Sequence, residues 1–148
     1  MKSFLCLLIL SPIIVLCQSF SVGSGYFNGE YESYKTSYKD ELHSQNNFIE
    51  ETRFNIAIHI KSSPVSGGVV IQDLRIPDKL LIYKIVQLDT VVSSNNGDLK
   101  IYDVLSQHLE RNQSEKIIFY NSENKQMNLM VSDGNSSQVF FNINKKLE

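Results

Sequence analysis

Two Asn-x-Ser triplets, Asn112-Gln113-Ser114 and Asn135-Ser136-Ser137, carry the most specific chemistry in this chain. Neither has proline in the middle, so Asn112 and Asn135 each offer a side-chain amide for N-linked glycan attachment, which needs an exposed loop and passage through the secretory pathway. The three histidines are His43, His59 and His108; no two stand at a metal-ligand spacing such as i, i+4. No G-x-S-x-G marks a nucleophile, and the Asp/Asn-rich stretch before Gly97 has Val92 where a calcium loop needs an acid. The residues therefore propose no catalytic group, no cofactor and no metal. A hydrolase would require the fold to bring His59 or His108 to a carboxylate such as Asp73, Asp103 or Glu110.

The aromatic residues suggest recognition rather than catalysis. The chain has seven Tyr and no Trp, and tyrosine offers apolar area with a polar tip to protein or glycan partners. Phe27, Tyr31, Tyr34 and Tyr38 follow one another at spacings of 4, 3 and 4, which places them on one face of a helix. That stripe is the candidate interaction surface, or else it packs on the rest of the domain. Tyr31 also sits between Glu30 and Glu32, a setting that suits tyrosine sulfation in an exported chain.

Export is the expectation from the first seventeen residues. Met1 and Lys2 precede an apolar run from Phe4 to Leu16, and Val15 and Cys17 stand three and one places before Gln18. This is the layout of a signal peptide cleaved after Cys17. The run is broken by Ser11-Pro12 and is shorter than the ~20 residues a membrane span takes, so no transmembrane anchor is expected. Cleavage would remove both cysteines, Cys6 and Cys17, and leave 131 residues with 13 basic and 16 acidic side chains. That balance is mildly acidic and unpatterned, which argues against a nucleic-acid partner. A cysteine-free secreted domain has no disulfides to add to its core, so burial, glycans or a partner must supply stability, and an oligomer is possible. The internal Lys39-Asp40-Glu41-Leu42 is no retrieval signal, because that tetrapeptide is read at a free C-terminus.

Stepping along the remaining chain, residues 18–45 read as a Gly- and Tyr-rich leader or an amphipathic helix, and residues 46–148 as one domain. Phe54, Ile56, Ile58 and Ile60 alternate with polar residues, as in a half-buried strand. Residues 62–68 read as a turn, residues 69–76 as a second strand, and residues 80–88, apolar at consecutive positions, as a central strand covered on both faces. The connections are too short for crossover helices, so these three strands form an antiparallel meander. After the break at Ser93-Ser94-Asn95-Asn96-Gly97, the spacing of Ile101, Leu105, His108 and Leu109 predicts a helix over residues 99–110 capped by Asp98. Three strands follow, at 116–120, 126–131 and 138–143. Met127, Leu129 and Val131 share one face of the second; Val139, Phe141 and Ile143 share one face of the third. A hairpin turn falls at Asp133-Gly134-Asn135-Ser136.

The fold expected is α+β: an antiparallel sheet of about six strands, one inserted helix and a possible N-terminal helix. An all-β sandwich, with residues 99–110 as a further strand, is the alternative. The function expected is a secreted, non-enzymatic binding or structural protein whose partner is a protein, a glycan or a small apolar ligand. A carrier would hold an apolar ligand against residues such as Ile58, Ile82 and Phe141; a small secreted hydrolase is the remaining reading.

Overall fold

Strand alternation, not helical spacing, governs every described element. The computed structural model describes residues 28–40, 48–62, 64–107 and 113–146. They form eleven strands and no helix: β1 (Asn28–Ser33), β2 (Lys35–Asp40), β3 (Phe48–Glu50), β4 (Phe54–Ser62), β5 (Val65–Asp73), β6 (Leu80–Val92), β7 (Leu99–Ser106), β8 (Gln113–Asn121), β9 (Met127–Ser132), β10 (Ser136–Phe141) and β11 (Asn144–Lys145). All belong to one antiparallel sheet, ordered β11-β1-β4-β5-β6-β7-β8-β9-β10-β2-β3. The α+β expectation is therefore wrong, and the all-β alternative is the one that fits, as a single curled sheet. The expected meander of three strands is present as β4, β5 and β6 and runs on without interruption to β10.

Over their described residues, both predicted helices are strands. Residues 99–106 pair with β6 on one side and β8 on the other. Tyr102, Val104 and Ser106 point inward and are buried, while Ile101 and Leu105 lie half-buried on the outer face. The predicted helix took its spacing from the outer-face pair Ile101 and Leu105; two interior neighbours then win over that local pattern. Predicted helical residues 107–110 gain no helix among the described ones, since Gln107 ends the segment and 108–110 lie outside them. Residues 28–40 run as two strands with a bend at Tyr34. Tyr31 and Ser33 point inward before the bend, Thr36 after it, and Tyr38 shares Thr36's phase. The bend shifts the alternation by one residue, so inward positions 31 and 38 fall seven apart and imitate a helical stripe.

That bend also makes the sheet curl onto itself. β1 pairs with β4, and β2, one residue further along the chain, pairs with β10. The Ser33 hydroxyl donates to the carbonyl of Phe141 at 2.8 Å, and Phe54 of β4 meets Phe140 of β10 edge to face, ring centroids 5.0 Å apart. The two ends of the meander thus touch. Inward residues of β1 and of β4 to β10, among them Ile56, Ile58, Val69, Ile71, Ile117, Phe119, Leu129 and Phe140, fill the interior as one buried cluster. Counting the continuous β1–β2 segment once, it and β4 to β10 make eight staves, a curl just wide enough to be filled by side chains or to hold one small ligand.

Three finer expectations need correction. The strand 80–88 is covered on its inner face alone: Tyr83 and Ile85 are buried, but Val86 and Leu88 are exposed. β5 begins at Val65 rather than 69, and takes Gly67 and Gly68 into the ladder against Ile60 and His59. Gly67 has φ +125, and a Cβ there would stand 1.9 Å from the carbonyl oxygen of His59, so the close approach of β4 and β5 requires glycine. In the last strand Phe140, not Phe141, is buried; a positive φ at Asn142 breaks the alternation and brings Ile143 back to the interior. Met127, Leu129 and Val131 do share the buried face of β9.

Candidate functional site

The buried apolar cluster fills the curl from strand to strand and gives way at one end to an open mouth. There the inward positions of β2, β6, β8, β9 and β10 run past the packed core and surround a cavity of about 510 Å³. Its apolar wall is Leu81 and Tyr83 from β6, Val131 from β9 and the ring of Tyr38 from β2. Its polar groups are Glu115 and Gln113 of β8 and Gln138 of β10, with Lys79, Asp133 and Ser136 at the rim. Each inward side chain is placed by pairing register: Tyr38 opposes Gln138, which opposes Val131, and Tyr83 opposes Ser106, which opposes Gln113. The volume lies within the ~300–1,000 Å³ of small-molecule sites.

Glu115 is the central acid of this mouth. It stands in the same inward phase as Ile117 and Phe119 and is half-buried. The fully buried hydroxyl of Ser106 donates to its carboxylate. Tyr83 is 4 % exposed; burial pushes its phenol well above the ordinary tyrosine range, and the nearby Glu115 charge adds to the shift. Asp133 is occupied differently. Its Oδ1 accepts the backbone N–H of Ser136 at 2.7 Å and of Asn135 at 2.8 Å, which closes the β9–β10 turn and lowers its pKa, the Ser136 amide contributing most. Gln138 donates to the Thr36 hydroxyl at 3.4 Å, tying β10 to β2 beneath the mouth.

Comparison with protein-family models, with curated proteins and with solved structures finds no match to this chain.

The candidate residues from the sequence are dispersed over the fold. Asn135 is exposed at the tip of the β9–β10 hairpin, beside the rim residues Asp133 and Ser136. Asn112 lies outside the described residues, and its neighbour Gln113 lines the mouth. Of the aromatic series, Phe27 lies outside the described residues, and Tyr31 is buried in the core at 1 % exposure. Tyr34 is exposed at the bend, where its hydroxyl donates to Glu32 and the Arg53 guanidinium lies over its ring at 5.5 Å. Tyr38 lines the mouth.

His59 sits on the outer face of β4, opposite Gly68. Asp73 accepts from Nε and Nη2 of Arg75 and stands opposite Phe54, five residues along β4 from His59, while Asp103 of β7 accepts from Lys116 and Gln87; His43, His108 and Glu110 lie outside the described residues. Ile58 is in the packed core, while Ile82 and Phe141 take the outward phase of their strands, so none of the three lines the cavity. No group of three or more His, Cys, Asp or Glu among the described residues is placed to hold a metal ion. No helix among them is long and apolar enough to cross a membrane.

Sequence reasoning missed Tyr83, Ser106, Glu115 and Gln138 as a set. The available signal was Glu115: an acid two residues before Ile117 and four before Phe119, on what alternation makes an apolar face. Beginning that strand at Lys116 hid it.

Proposed function

We propose that this chain is a secreted, non-enzymatic binding protein that accepts a small molecule at the open end of its curled sheet. The observation that carries this reading is the mouth cavity, where an apolar and aromatic wall meets a few convergent polar groups. Below it the core is filled, so the ligand rests on the packed interior rather than within it. Export follows from the first seventeen residues and glycan attachment from Asn112 and Asn135; Asn135 is exposed at the tip of the β9–β10 hairpin, beside the rim.

Nile red, a neutral solvatochromic dye, tests the reading. It should bind saturably with a blue shift, and Leu81→Arg, which puts a charge on the half-buried wall, should abolish the signal while far-UV circular dichroism stays unchanged. Dye binding that never saturates, or that Leu81→Arg leaves intact, would remove the mouth as the site. Intact-mass spectrometry of protein secreted from a eukaryotic host tests the rest: an N-terminus at Gln18 and a glycan-sized excess that Asn112→Gln and Asn135→Gln together remove are expected. Retention inside the cell with residues 1–17 attached would sink the export reading.

A further inference from the structure

Resting on the binding role just proposed, we infer that the ligand of this mouth is a protonated amine carried on a flat apolar or aromatic body. Three charged side chains line the cavity: Lys79, Glu115 and Asp133. Lys79 is exposed and Asp133 is exposed at the rim, and Asp133 already answers two backbone amides. Glu115 alone projects inward and is half removed from water. A carboxylate in that position gains most from a cation that reaches it as water leaves. Ser106 fixes its orientation by donating from beneath.

The walls favour the same ligand. Tyr83 and Tyr38 flank the cavity from β6 and β2, and the negative faces of such rings attract an ammonium group while their area covers an apolar body. The Gln138 side chain, opposite Tyr38, can take a hydrogen bond from the far end of the ligand. An anionic ligand would place its charge against Glu115, with the nearest lining cation, Lys79, out on the rim. A purely apolar ligand would desolvate Glu115 with only the Ser106 hydroxyl to answer its charge, which costs free energy.

Isothermal titration calorimetry of the secreted protein with three probes of one ring system decides the matter: tryptamine, its alcohol analogue tryptophol, and indole-3-acetate. Tryptamine should bind at least about tenfold more tightly than tryptophol, since a charge-assisted hydrogen bond replaces a neutral one, and indole-3-acetate should bind most weakly. Glu115→Gln, nearly the same shape, should erase the preference for the amine, bringing tryptamine down to the affinity of tryptophol. Equal affinity for all three probes, or an amine preference that survives Glu115→Gln, overturns the inference and leaves the mouth as a binding site. Should Glu115→Gln fail to fold, the probe series on the unaltered protein still decides. If neither Nile red nor any indole binds, the binding role itself falls, and the inference with it.

Discussion

Replacing Phe54 and Phe140 by leucine, singly and together, measures whether the sheet curls until its ends meet. Six strand steps separate β4 from β10 along the sheet order. At ~4.8 Å per step a flat sheet would hold them about 29 Å apart. Their ring centroids instead lie 5.0 Å apart at an interplanar angle of 82°, and both side chains are buried. Full truncation of such a Phe to Ala costs about 3–5 kcal/mol, a large share of the roughly 5–15 kcal/mol that holds a domain folded; leucine keeps most of the apolar volume and the variants measurable. Each single change should lower the unfolding free energy, read by urea titration with far-UV circular dichroism at 25 °C. The double variant should lose less than the sum of the singles, by about 0.5–1.5 kcal/mol, the coupling of an edge-to-face aromatic pair. Costs additive to within about 0.3 kcal/mol, as for sites that do not touch, would refute the contact and with it the meeting of the two ends.

Three further outcomes are expected. Gly67→Ala should destabilise by on the order of 3 kcal/mol or prevent folding, because its Cβ would collide with the His59 carbonyl at a φ of +125; a urea midpoint unchanged from the parent would contradict the close approach of β4 and β5. Asp133 has a lowered pKa in the folded chain, so its contribution is present above the ordinary carboxylate range and is lost as pH falls through its folded value. Asp133→Ala should accordingly flatten the acid limb of a stability–pH curve, and a limb of undiminished slope would show that the turn does not depend on this charge. Tyr83 has a raised pKa, so its contribution is complete below the unfolded tyrosine value of about 10 and is lost as pH rises toward its folded value. Tyr83→Phe should remove one late step from the ultraviolet phenolate titration and soften alkaline unfolding; loss of an ordinary step near about 10 instead would place that phenol in water.

Where one face of a strand is buried and the chain is straight, the sequence was readable. Phe54 to Ile60 and Met127 to Val131 alternate cleanly, and both lie in the structure as read, with every expected apolar residue buried. The Asp133 turn was readable too, because its side chain acts on its own backbone. Misreadings fall where alternation is interrupted. The bend at Tyr34 and the positive φ at Asn142 each shift the inward face by one residue, and a shifted strand looks like a helix or like a strand facing the other way. β7 failed for a different reason: its inward set includes Tyr102 and Ser106, which hydropathy does not mark, so the outer residues Ile101 and Leu105 set the apparent period. The mouth was least legible, because Tyr38, Tyr83, Glu115 and Gln138 span a hundred positions of sequence and only the curl gathers them.

The segment from Asn28 to Asp40 is sewn to both ends of the meander, and this sets the order in which the molecule can be made. The hydroxyl of Ser33 reaches Phe141, 108 positions later in the chain. As the chain emerges during synthesis, β4 through β9 can pair as neighbours appear, but β2 has no partner strand on its β10 side until Ser136–Phe141 is complete. The last contacts to form are thus long-range ones, which carry the largest loop-closure cost and slow folding. Until then the outer edge of the growing meander stays open, with unpaired backbone groups that invite another chain. Chaperone dependence and aggregation of this protein should therefore track the time between synthesis of its first strand and release of its last.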